Sequence, residues 1–460
     1  MTIPWLLALI TVLGAFAASP SAASTDLQAL IDATPPGGTL TLAPGAYDAP
    51  VTITSPITIN GSRDAIVDAH GVGSVITIEA PDVTIDGITI RGSGSSLDRE
   101  NSGITSIDAP RVTITNTILD DVLFGIFLRT APDSVVQGNT IGAKEIDIAR
   151  RGDGIRLWES HRSVVDSNDI TGGRDLVFWF TDGIVVKGNT VRDGRYGLHL
   201  MYSDHALIEG NDLSHNSVGA FLMYSRGMAV RNNVFSSNSG PSGYGVGLKE
   251  IDDVVIEHNR LVANRVGIYL DNSPTSVEST GLIADNLIAY NRVGVLFLPN
   301  VKRNTVVGNT FIDNAEQVGV TGSGSFSGNE WNARGAGNYW SDYAGYDADG
   351  DGVGEVVYRV NDLYDTITDQ YPQLAFFDET PAAKAIDIAA RMFPVFRPDP
   401  LVEDTHPLIS RPALAPVGRT LEESSNFAMG LTAIAMIASG LTIVGVPVLR
   451  SRRSRPEVIS

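Results

Sequence analysis

The sequence predicts an all-β fold: a right-handed parallel β-helix, a solenoid of about 22-residue coils, with a C-terminal extension and one transmembrane helix. Three observations carry this expectation. Asparagine recurs ahead of short strand-like runs at Asn139, Asn168, Asn189, Asn211, Asn233, Asn259, Asn286 and Asn309, at spacings of 29, 21, 22, 22, 26, 27 and 23. A second apolar run in most units opens on glycine, as in Gly125 to Leu128, Gly154 to Leu157, Gly197 to Leu200, Gly219 to Leu222, Gly267 to Leu270 and Gly294 to Phe297. The Val, Ile, Leu and Thr segments alternate over only a few residues between Gly, Asn and Asp, which is strand punctuation and not a helical period. A propeller or a sandwich would need periods of about 40 residues or hairpin turns.

Taken from the N-terminus, residues 1–23 read as a signal peptide. The apolar run Trp5 to Ala18 is followed by small residues suited to cleavage after Ala23. Asp26 to Asp32 reads as a short amphipathic helix covering the open end of the solenoid, where a bare sheet edge would invite aggregation. The β-helix with this cap is assigned to residues 24–335. Its repeated asparagine is expected at a left-handed turn position, with the side-chain amide bonding its copy in the next coil.

Residues 336–380 form an acidic Gly/Asp segment. Asp347, Asp349, Asp351, Val353 and Glu355 follow the first nine places of a calcium loop around glycine turns, whereas the twelfth place is Tyr358 and not a bidentate glutamate. Calcium is therefore expected to bind here weakly or with ligands from elsewhere. Residues 381–426 hold a helix opened by Thr380 and Pro381 and then a proline-rich arm. Met392, Phe393 and Phe396 in that arm are read as a partner-docking surface.

Residues 427–449 carry no charge over 23 residues, about 34 Å as a helix, and span a membrane on this reading. Four arginines in the tail 450–460 place that tail in the cytoplasm and the body outside it. The total charge of −20 becomes −23 over residues 24–426 once the +3 tail is set aside. That sign argues against nucleic acid as a partner. The absence of cysteine removes disulfides, thiolate metal sites and a cysteine nucleophile, leaving His, Met and carboxylates as the side chains able to hold a metal.

Strand alternation points Leu198 and Leu200 inward and His199 and Met201 outward. One coil of 22 residues later, Phe221 takes the place of His199 and Met223 that of Met201. Trp158 and Trp179 precede them in the same columns and Tyr269 follows. The band is read in two ways: a docking surface of Trp158, Trp179, Phe221 and Tyr269, and a soft copper(I) set of His199, Met201 and Met223. His205, His215 and Met228, in nearby turns, read as exposed loop residues. The adjacent carboxylates Asp120–Asp121 and Asp252–Asp253 sit at polar turns, and no phosphate loop is present, so no enzyme activity is expected. A membrane-tethered carbohydrate-binding or carbohydrate-processing β-helix is the alternative.

Several motifs together resemble the NosD family: Asp153 to Trp158, Leu198 to Tyr202, Leu222 to Tyr224, Gly337 to Asp342 with Asp347 to Gly352, Tyr358–Arg359 with Asn361–Asp362, and Phe393 to Arg397 with Thr405 to Leu408. The likeness covers about residues 25 to 412, and its closing segment is more specific than the repeats. It implies a periplasmic accessory protein for assembly of the copper–sulfide centre of nitrous oxide reductase. The partners it implies are the membrane and ATPase subunits of an ABC transporter, a copper-chaperone lipoprotein and the reductase itself. The transmembrane tail departs from the usual soluble pattern of that family and would anchor the protein to the inner membrane.

Overall fold

The computed structural model describes residues 24–321, 327–360, 380–381, 385 and 400–413. The segments expected as signal peptide and as membrane span with its tail, and Met392, Phe393 and Phe396, lie outside the described residues. Among those described, no helix is long and apolar enough to cross a membrane.

The coils contribute short strands to three parallel sheets, of 14, 12 and 12 strands, in which each interior strand pairs with its equivalents one coil before and after. Strands of two to six residues suffice because the interior ones are held on both edges and their inward side chains stack in columns. Ile114, Val136, Val165, Val186, Ile208, Val230 and Ile256 form one such column, all buried. The core is therefore a long apolar interior built from local repeats.

The asparagines form a continuous ladder from Asn139 to Asn338. Each backbone N–H donates to the side-chain Oδ1 of the asparagine one coil on, as Asn211 does to Asn233 and Asn233 to Asn259, both at 2.9 Å. The side-chain Nδ2 of Asn233 donates to Asn259 Oδ1 at 3.0 Å and to the carbonyls of Ile208 and Arg231, so a buried amide is fully used. The expected left-handed position is displaced by one residue. The ladder asparagines are not in that conformation; from Asn139 to Asn309 the residue before each is, namely Gly138, Ser167, Gly188, Gly210, Asn232, His258, Asp285 and Gly308. The left-handed turn aims the following amide inward, and a residue aimed inward must itself be extended. A second ladder, Asn216, Asn238, Asn264, Asn291 and Asn314, holds the next turn in the same way.

The N-terminal end is closed by the helix Leu27–Ala33, capped by Asp26, whose carboxylate accepts from Ala29 N–H. Leu27 and Ile31 bury against the first coils. At the other end the last solenoid strand is Tyr339–Trp340, paired to Thr310–Ile312. Trp340 stacks between Phe311 at 4.2 Å and Tyr358 at 4.4 Å. An antiparallel pair, Tyr358–Val360 with Val402–Asp404, brings in the buried Asp404. Its carboxylate accepts from Asn338 N–H, Trp340 Nε1 and His406 N–H.

Candidate functional site

The site lies on the sheet that contains Asp175–Trp179, Tyr196–Met201, Val218–Met223, Tyr244–Lys249 and Val266–Asp271. Two outward columns cross these strands. One runs Phe127, Arg156, Val177, His199, Phe221, Gly247, Tyr269; the other runs Arg129, Trp158, Trp179, Met201, Met223, Lys249, Asp271. Met201 and Met223 are thus in register on adjacent coils, with His199 two places before Met201 on the same face. Equivalent positions are about 4.8 Å apart along the solenoid axis, well within the reach of these side chains.

The band is half-buried and not fully exposed, because its rings cover one another. Trp158 meets Trp179 edge-on at 5.7 Å. Trp179 meets His199 edge-on at 5.4 Å, and Tyr196 lies 5.1 Å from the His199 ring. A third column at the left-handed turn, Phe180, Tyr202 and Tyr224, is stacked face to face at 5.2 and 5.1 Å. Tyr244 stacks on Tyr269 at 4.4 Å, and burial together with that neighbour pushes the Tyr269 phenol up to about 12. Met228 is not an exposed loop residue: it is fully buried, because the turn after Gly227 folds its side chain into the core. His205 and His215 are exposed and occupy left-handed turn positions.

Beside His199 lies a charge network that sequence reasoning missed. Arg129 donates to Glu100, Arg156 donates to Glu100 and stands 3.8 Å from Asp153, Arg174 donates to Asp153, and Arg195 clamps Asp175 through two nitrogens. Asp153 and Asp175 are both buried. Burial, reinforced by the charge of Asp175, raises the Asp153 carboxyl to about 6, against the pull of Arg174, Arg156 and Arg195. Arg156 also lies over the rings of Phe127, Trp158 and Trp179. The signal for this network is faint, since its charges come from different coils at irregular spacing.

Burial also lowers the His199 imidazole below its ordinary value, with Arg195 and Arg174 adding to the effect and Asp175 opposing it. Burial thus favours the neutral imidazole, the form that binds a metal. Its Nδ1 is buried without a hydrogen-bond partner. Two thioethers and a neutral imidazole, with no carboxylate in either column between Arg156 and Lys249, are a soft, low-charge donor set that fits Cu(I).

The acidic loop brings together Asp347, Asp349 and Glu355, whose ligand atoms lie within 4.8 Å of one another. Asp351 is not in that group; its carboxylate accepts from Val353 N–H at 2.8 Å. Asp347 accepts from the backbone of Gly352 and Gly350, which holds its carboxyl below the usual value.

The three stacked parallel sheets define a right-handed parallel β-helix. Known proteins agree with that class: the right-handed β-helix region family matches residues 70–185, and the family described as periplasmic copper-binding protein (NosD) matches residues 137–345. A probable ABC transporter binding protein NosD of Pseudomonas aeruginosa is 32% identical over 390 residues, covering 82% of this chain and 90% of that protein. Its namesake in Stutzerimonas stutzeri is 30% identical over 386 residues, covering 81% and 86%. The chain belongs to the NosD family. Among solved structures, the A-module of the Azotobacter vinelandii mannuronan C-5 epimerase AlgE6 (TM-score 0.54, 17% identity, 68% of this chain, 96% of that one) shares the fold. So does the Streptococcus pneumoniae surface adhesin PfbA (TM-score 0.52, 14% identity, 66% and 98%). At these identities the likeness concerns the fold alone.

Proposed function

We infer that this chain is a periplasmic copper-handling platform that serves assembly of the copper–sulfide centre of nitrous oxide reductase. It works with the membrane and ATPase subunits of an ABC transporter, which supply the energy its own chain has no phosphate loop to use, and with a copper-chaperone lipoprotein. The observation that carries this reading is the register of Met201 on Met223 beside His199, whose buried Nδ1 has no hydrogen-bond partner. Cu(I) is the cargo and is held transiently. A rigid solenoid keeps the three donors in place, and its other faces are free to dock partners. Carbohydrate processing is less well supported. Asp175, a buried carboxylate beside the band, is clamped by two nitrogens of Arg195 and is not free for acid or base work.

The test is Met201→Ala with Met223→Ala. Both side chains face outward, so the solenoid should fold with little loss of stability. Cells carrying the variant should make normal amounts of it and of nitrous oxide reductase, yet the reductase should lack its copper–sulfide centre. A fully loaded reductase in that strain would overturn the role of these residues.

A further inference from the structure

Trp179 immediately precedes Met201 in the outward column, and Lys249 immediately follows Met223. The two sides of the thioether pair are therefore unlike. Towards the N-terminal coils stands an indole; towards the C-terminal coils stands an ammonium, drawn over the Tyr224 ring at 5.8 Å. Trp179 is fixed by its neighbours, edge-on to His199 at 5.4 Å and to Trp158 at 5.7 Å, with Arg156 at 5.6 Å from its ring. Its Nε1 is buried and has no hydrogen-bond partner. A large aromatic that leaves its N–H unpaired has not been placed to make that hydrogen bond, so its position needs another explanation. Val177, between Arg156 and His199 in the neighbouring column, is short and 2% exposed, so the indole and imidazole close over it.

We propose that Trp179 is the wall of the thioether site, resting on the reading of His199, Met201 and Met223 as the Cu(I) donors. A monovalent cation beside an indole is attracted by the ring quadrupole, most strongly where water is excluded. Three soft donors leave Cu(I) open on one side, and an aromatic wall closes that side without adding a charge or a hard ligand. The ion is thereby shielded from water and oxygen.

The test uses the full secreted chain, titrated anaerobically with Cu(I) delivered from a competing chelator, with tryptophan emission and chelator absorbance read together. In the wild type, uptake of one Cu(I) should quench emission. Trp158→Phe should keep that quench, and Trp179→Phe should lose it while still taking up the ion. Trp179→Leu should bind Cu(I) about ten-fold more weakly and release it to air oxidation faster; Trp179→Phe, which keeps a ring and the packing against Trp158, should restore part of the affinity. Uptake that depends on Met201 and Met223 but leaves emission unchanged, or equal affinity in wild type and Trp179→Leu, would overturn the wall and keep the donor set. No Cu(I) uptake by the wild type would overturn both.

Discussion

Asp153 shows what a buried charge does in this fold. It sits where the chain turns into the band-bearing sheet, is 2% exposed, and has Arg174 at 3.4 Å and Arg156 at 3.8 Å as its ion-pair partners. Burial and the neighbouring Asp175 raise its carboxyl to about 6, above the ordinary 3.8. The native state therefore holds this proton more tightly than the unfolded chain does. Its contribution to stability is fully present below pH 3.8 and is lost as pH rises to about 6, where the native carboxylate must carry its charge in a poorly solvated place. Asp153→Asn removes this dependence. The stability difference between wild type and Asp153→Asn should shift by up to about 3 kcal/mol against the wild type between pH 4 and pH 7. Chemical denaturation of both proteins across that range checks it; parallel curves would show that Arg174 and Arg156 neutralise the site completely.

At the scale of the element, legibility follows periodicity. The Asn spacing and the glycine-opened runs reveal the coil, and a fixed coil length sets the register. Met201 could therefore be placed on Met223 from the 22-residue interval alone. The left-handed residue was misplaced by one position because a repeat marks which residue recurs and not which of two neighbours bends the chain. The Arg–Asp network and the Phe180–Tyr202–Tyr224 stack were missed for a related reason: turn residues vary from coil to coil, and only the backbone shows that they share a column. The acidic loop has no repeat to support it. Asp347, Asp349 and Glu355 converge there while their oxygens accept from backbone N–H groups, and we propose a structural calcium ion as its ligand. An ion bound only by the folded state adds stability by mass action, so excess Ca²⁺ should raise the melting temperature of metal-free protein and a chelator should reverse the gain. Identical melting curves would leave the loop a plain turn.

Among the described residues the solenoid carries the helix Leu27–Ala33 at one end and Trp340 with Asp404 at the other, which cover strand edges that would otherwise invite pairing with other chains. Function then depends on where the rod is held. A platform that exchanges a cargo with membrane-bound partners gains from being tethered, because linking converts encounter into a local event at high effective concentration. Residues 427–449, an uncharged run followed at once by Arg450, Arg452, Arg453 and Arg455, are proposed as that tether, with the acidic body on the periplasmic side. The intact protein should stay with inner-membrane fractions after a carbonate wash. A chain ending at residue 426 should appear in the soluble periplasm and bind Cu(I) with unchanged affinity, since His199, Met201 and Met223 lie far from the cut in sequence. In cells it should load the reductase more slowly, by the loss of effective concentration and not of the site. Release of the intact chain by osmotic shock would remove the tether from this account, and the slower loading would then have to be sought in the arm before residue 426.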